Sequence, residues 1–234
     1  MSRTRVKFCG VMRPADARAA ADAGADAVGM ILHADARRLI DPMTAASIVS
    51  VLPPYVSPVG VFVDAPVAQV RSLARFLNLG HVQLHGDETP EMVAELTDVR
   101  VVKVLKVTPT IAADLEPWRK AYEAGDLRNL IGLLLDSAGG GGTGHANDFG
   151  VIRTLMHDGH FDGLPPITVA GGLRPESVGG VVGDLRPFAV DTSSGIEVIF
   201  GEKSVDKMRR FIDAVRAADT TAGAKPQVDA DERG

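Results

Sequence analysis

The sequence predicts a single (β/α)8 barrel, the TIM-barrel architecture, and three observations predict it. Eight short β-branched or aliphatic runs alternate with eight segments of helical apolar spacing to the end of the chain. Proline and glycine fall where those helices should start and stop. The first run is followed by Cys9-Gly10-Val11-Met12. A Gly-x-Gly-x-x-Gly turn is therefore missing where an open doubly wound sheet, the competing architecture, would carry its dinucleotide fingerprint.

The strand-like runs are Val6-Lys7-Phe8, Ala27 to Ile31, Val59 to Val63, Val82-Gln83-Leu84, Val101 to Val104, Ile131 to Leu135, Ile167-Thr168-Val169 and Phe188-Ala189-Val190. The helical segments are Pro14–Ala23, Pro42–Leu52, Val67–Leu77, Pro90–Leu96, Ala112–Ala124, Phe149–Met156, Pro175–Val182 and Val205–Ala217. Arg13-Pro14, Asp41-Pro42, Thr89-Pro90 and Arg174-Pro175 mark helix starts, because a first-turn proline lacks only an N–H that would be unbonded anyway. Asp41 and Thr89 can also cap. Gly24 and Gly125 suit the left-handed position that ends a helix. The barrel is expected over 1–216. Residues 217–234, rich in Ala, Thr, Asp, Gly and Pro, read as a disordered tail.

Composition narrows the function classes. Among 234 residues, 45% are apolar and only 5% aromatic, with 25 Gly and 14 Pro, so the core is aliphatic and the turns are tight. A net charge of −5 carries no global basic footprint for nucleic acid. The lone Cys9 excludes an intrachain disulfide framework and an all-cysteine metal site. No apolar run is long enough to span a membrane and no signal-peptide core precedes the first strand, which points to a soluble cytoplasmic protein. The histidines form no HExxH or other ligand cluster, so no metal is expected.

Barrel function sits where strands end and helices begin. Cys9 ends the first strand; it is either a small buried hydrophobe or a thiol whose pKa the surrounding helix N-termini lower, making it a base or nucleophile. Asp136 ends the sixth strand and either caps a turn or donates a proton, the latter if burial or a negative neighbour raises its pKa. One base and one acid on opposite walls suit a proton-shuffling isomerase. Gly139 to Gly144, Gly171-Gly172 and Ser193-Ser194-Gly195 follow strands six, seven and eight, where barrels build phosphate sites from backbone N–H groups and a short helix. Of Arg37 and Arg38, one is a solvated surface residue and the other can bind a carboxylate in two-point fashion if it turns inward. His85 and Gln83 can contact substrate or serve structure alone.

The ordered set Val6-Lys7-Phe8-Cys9-Gly10, Ala23 to Gly29, Val59 to Val63, Val82 to Glu88, Leu134-Leu135-Asp136, Gly141-Gly142-Thr143-Gly144, Ala170 to Leu173 and Asp191 to Glu197 resembles the phosphoribosylanthranilate isomerase family from about residue 5 to 216. The resemblance implies Cys9 as general base and Asp136 as general acid. Arg38 matches the arginine for the anthranilate carboxylate, and Asp191 a carboxylate near the sugar hydroxyls. Gly141, Gly142, Thr143, Gly144, Gly171, Gly172, Ser193, Ser194 and Gly195 match its phosphate loops.

The implied reaction is the Amadori rearrangement of N-(5-phosphoribosyl)anthranilate in tryptophan biosynthesis, with no cofactor. Phe8, Val11-Met12-Arg13 and His145 to Phe149 depart from the family's commoner residues but leave the acid and base in place. A related isomerase of histidine biosynthesis generally uses paired aspartates, against which Cys9 argues. A catalytically silent phosphate-ligand binder is the alternative outside the enzymes.

Overall fold

The computed structural model describes residues 3–137 and 149–223. Eight parallel strands close a barrel in chain order: β1 (Arg5–Phe8), β2 (Ala27–His33), β3 (Ser57–Phe62), β4 (His81–Leu84), β5 (Arg100–Val107), β6 (Leu130–Ser137), β7 (Ile167–Ala170) and β8 (Ala189–Thr192). Strand β8 pairs back onto β1 with Lys7 level with Asp191 and Phe8 level with Thr192. Between the strands lie α1 (Pro14–Ala23), α2 (Pro42–Ser50), α3 (Val67–Phe76), α4 (Pro90–Glu95), α5 (Ile111–Glu123), α6 (Phe149–His157) and α7 (Val178–Leu185). The closed barrel, not the open sheet, is the architecture.

Local chemistry explains where the helices begin and end. The Asp41 carboxylate accepts the Met43 and Thr44 N–H groups at 2.9 and 3.0 Å, satisfying two donors that the start of α2 would otherwise leave unbonded. Thr89 caps α4 through the Met92 N–H at 3.4 Å. Gly24 ends α1 at φ 102°, and its N–H closes onto the last turn.

Alternation along the strands sorts side chains between two cores. On β1, Phe8 faces outward and meets the Phe211 ring edge-on, with centroids 5.7 Å apart. Most buried apolar side chains lie in this outer layer between strands and helices. Inside the barrel, Val104, Leu134 and Ala170 form a small apolar cluster on the β5–β7 side. Lys7 and Asp191 carry charge into the β8–β1 side, both buried.

Three features differ from the sequence-based expectation. Helix α7 starts at Val178, not at Pro175, because Ser177 turns its hydroxyl onto the Arg174 N–H at 3.1 Å and holds a separate turn first. The chain after Ile196 makes an antiparallel hairpin, β9 (Glu197–Ile199) with β10 (Glu202–Lys203), that the apolar runs did not announce. The last helix, α8 (Val205–Gly223), continues past 216 into the expected tail. There Asp219 accepts the Thr4 N–H and hydroxyl at 2.8 and 2.7 Å, tying the helix to the foot of β1. Residues 224–234 lie outside the described residues. No helix among the described residues is long and apolar enough to cross a membrane.

Candidate active site

Cys9 stands one residue beyond β1, where its N–H donates to the Thr192 carbonyl at 2.8 Å and carries the β1–β8 ladder up to the rim. Its buried sulfur points at Gly29 of β2: a Cβ on that glycine would lie 2.8 Å from Sγ and 3.1 Å from both Cε and Nζ of Lys7. The missing side chain of Gly29 is therefore the space in which the thiol and the ammonium meet. Lys7 Nζ is 3.0 Å from Asp191 Oδ1.

The charges here work against one another. Burial pushes the Cys9 thiol up, Lys7 pulls it down, Asp191 raises it again, and the net direction is upward. This differs from the sequence-based expectation that helix N-termini would lower it, because the thiol is buried and its main helper is a single lysine. Burial pulls Lys7 down, but Asp191 and Cys9 outweigh it and keep the ammonium above its ordinary range.

Asp136 is the penultimate residue of β6, three strands from β1 by way of β7 and β8. Its Oδ2 is 3.4 Å from Nε2 of His85, and both side chains are about one-third exposed, at 32% and 31%. The other ring nitrogen of His85 is 3.1 Å from the Gln83 amide nitrogen. That amide nitrogen can only donate, so Nδ1 is paired as an acceptor and Nε2 is the ring nitrogen that faces Asp136. The ring of His85 is thus the side chain that Asp136 meets here.

The turns after β7 and β8 nest on each other. Gly171 and Gly172 take φ values of +103° and +61°, a region glycine enters without a Cβ clash. A Cβ on Gly195 would lie 1.9 Å from the Leu173 carbonyl oxygen, so only glycine admits this approach. The same carbonyl accepts the Thr192 hydroxyl at 2.7 Å. Ser194 opens a short 3-10 turn through Ile196, and Ser193 accepts Lys203 Nζ at its carbonyl (2.9 Å) and hydroxyl (3.4 Å). Gly141, Gly142, Thr143 and Gly144, with the departing residues His145 to Asp148, lie outside the described residues.

Arg38 is the inward arginine. Its Nε and Nη2 meet the two oxygens of Glu197 at 2.9 and 2.8 Å, and Lys203 Nζ reaches the same carboxylate at 3.1 Å. Arg37 is exposed, yet its guanidinium lies 3.9 Å from the Phe200 ring centre, beside that of Arg38 at 4.5 Å. Met12, one of the unusual residues after β1, lies under this hairpin: its Sδ would be 3.1 Å from a Cβ on Gly201.

All the described candidates thus converge on one rim. Sequence reasoning missed Lys7, Glu197 and Lys203. Lys7 had a usable signal, since it is two residues before Cys9 and strand periodicity puts both on one face. Among the described residues, no group of three or more His, Cys, Asp or Glu side chains is placed to hold a metal ion.

The family model described as N-(5'-phosphoribosyl)anthranilate (PRA) isomerase matches residues 6–214. An N-(5'-phosphoribosyl)anthranilate isomerase of Trichlorobacter lovleyi is 39% identical over 211 residues, covering 89% of this chain and 96% of its own length. The crystal structure of phosphoribosyl anthranilate isomerase from Thermotoga maritima superposes with a TM-score of 0.76 at 33% identity, over 92% of this chain and 99% of that one. A crystal structure of a phosphoribosyl anthranilate isomerase in complex with reduced 1-(o-carboxyphenylamino)-1-deoxyribulose 5-phosphate gives 0.74 at 32% identity, with coverage of 92% and 99%.

Proposed function

The chain belongs to the phosphoribosylanthranilate isomerase family, and from that premise we propose that Cys9 and Asp136 perform its reaction by general acid–base catalysis. The activity is the isomerisation of N-(5-phosphoribosyl)anthranilate to 1-(2-carboxyphenylamino)-1-deoxyribulose 5-phosphate, an Amadori rearrangement in tryptophan biosynthesis.

The observation that carries the mechanism is the placement of Cys9 and Asp136 at strand ends on separate walls of one mouth, with the glycine-containing turns after β7 and β8 between them. Asp136 protonates the ring oxygen, and the ring C–O bond breaks to leave a protonated Schiff base. The Cys9 thiolate then takes the C2 proton, whose bonding electrons flow to the nitrogen and give an enolamine. Tautomerisation of the enolamine yields the ketone. The substrate nitrogen is the electron sink, so the scheme asks for no organic cofactor or metal.

The remaining residues bind. Gly171, Gly172, Ser193, Ser194 and Gly195 receive the phosphate together with the Gly141 to Gly144 loop, and Arg38 faces the anthranilate carboxylate. Asp191 contacts the sugar hydroxyls, and His85 approaches the substrate beside Asp136. Pinning both ends of the substrate holds the reacting carbons between acid and base. A reactive thiol that must stay reduced suits the cytoplasm.

Two assays test this reading. Purified protein should consume the fluorescent substrate with chelator present, and Asp136→Asn should lower kcat by at least ~100-fold, the range of a lost acid. The wild-type gene should also rescue a tryptophan auxotroph lacking this isomerase. Full activity of Asp136→Asn removes Asp136 from the mechanism. Tight phosphate-ester binding without turnover or rescue makes the chain a binder.

A further inference from the structure

Lys7 is a buried charged side chain on the inner face of β1, and the fold surrounds it with specific partners. The β1–β8 register sets it level with Asp191, and the two side chains, 11% and 9% exposed, pair at 3.0 Å. The bare face of Gly29 lets Lys7 Nζ and Cys9 Sγ approach the same point, at 3.1 and 2.8 Å from where a Cβ would stand. They therefore lie within about 6 Å of each other, the range over which an opposite charge favours the ionised form of its neighbour. An ammonium buried this way is costly unless its position is useful or well paired.

We infer that Lys7 is a positioning residue for the isomerase reaction: it is the counter-ion of the Cys9 thiolate, aimed at the sulfur by Asp191. The inference rests on the reading of Cys9 as the base. The charged groups that act on Cys9 are Lys7 from β1, Asp191 from β8, Lys203 from β10 and Arg38 from the loop after β2. Lys203 and Arg38 share Glu197, which offsets part of their charge. Asp191 opposes the thiolate directly. Lys7 is thus the largest single influence favouring the ionised sulfur, and a side chain of equal length without charge should leave the base harder to form.

The test exploits the single cysteine, because every thiol signal comes from Cys9. Thiolate ultraviolet absorbance is followed against pH in the wild type, Lys7→Met and Lys7→Arg, with Cys9→Ser as blank. The midpoint in Lys7→Met should rise by at least about one pH unit. Its kcat should fall at least ~10-fold while KM stays within about 3-fold, and the alkaline shift should reappear in the kcat pH profile. Lys7→Arg should recover most of both.

Should the lone Asp191 carboxylate prevent Lys7→Met from folding, Lys7→Met/Asp191→Asn removes both charges; its midpoint should also rise, by less. An unshifted midpoint in whichever of these two proteins folds overturns the proposal, as does Lys7→Arg behaving like Lys7→Met. The titration needs no turnover, so the two readings fail separately. An active Cys9→Ser would remove the base and leave the shift, whereas an inactive Cys9→Ser with no shift would remove only the role of Lys7.

Discussion

Glu197 grips Arg38 at two points, Nε to Oε1 at 2.9 Å and Nη2 to Oε2 at 2.8 Å, so the arginine assigned to the substrate carboxylate already serves an internal one. The fork is consequently fixed, with Nη1 left as the edge that can turn to a ligand. Glu197→Gln should free the guanidinium to wander. KM should rise roughly 5- to 20-fold with kcat nearly unchanged, as expected for lost ground-state binding. An unchanged KM would show that the pair only staples the hairpin.

The same carboxylate predicts acid behaviour. Burial pushes Glu197 up, but Arg38 and Lys203 outweigh it and hold it below the usual range. A carboxyl depressed in the folded state stabilises fully above its unfolded value near ~4.3, and loses that contribution as pH falls through the lower folded value. Urea unfolding followed as the pH is lowered through and below the ordinary carboxylate range should show less acid sensitivity in Glu197→Gln than in the wild type. Equal sensitivity would mean other carboxylates dominate.

His81, at the foot of β4, is pushed down to about 4 by burial, with Lys7 and Arg100 adding to it. A histidine depressed on folding stabilises fully above its unfolded value of about 6.5, and that contribution disappears as pH falls from there to about 4. The loss is at most about 3 kcal/mol. His81→Gln should flatten the stability curve between those pH values, measured by denaturant midpoint. A curve as steep as the wild type would place the proton elsewhere.

Gly195 permits the turns after β7 and β8 to touch, and a methyl there would meet the Leu173 carbonyl oxygen at 1.9 Å. The obstacle is backbone, so the turn must open. Gly195→Ala should weaken binding of a phosphate-ester ligand at least ~10-fold by calorimetry, with a stability loss of about 1–3 kcal/mol. Wild-type affinity would detach these turns from the phosphate.

Much of this was legible because barrels repeat one local grammar. Proline at the start of α1, α2 and α4, the Asp41 and Thr89 caps and the Gly24 stop each follow from chemistry within a few residues. Pro175 followed the same grammar yet opened a turn, because Ser177 competes for the Arg174 backbone. The hairpin and its Glu197 and Lys203 were illegible: their partners Arg38 and the Arg13–Asp16 pair come from parts of the chain distant in sequence. Composition misread 217–223, where one long-range contact, Asp219 to Thr4, outweighs a polar sequence. Lys7 gained no role from the apolar pattern, although in a closed sheet both faces of a strand are buried and a charge there must find a partner.

The central claim is that Cys9 removes the C2 proton. Its direct test is a paired measurement on Cys9→Ser: binding of the reduced product analogue and turnover of N-(5-phosphoribosyl)anthranilate by the same preparation. The account predicts a Kd within about 3-fold of wild type and a kcat lowered at least ~100-fold. A Cys9→Ser protein that turns over at the wild-type rate would contradict it.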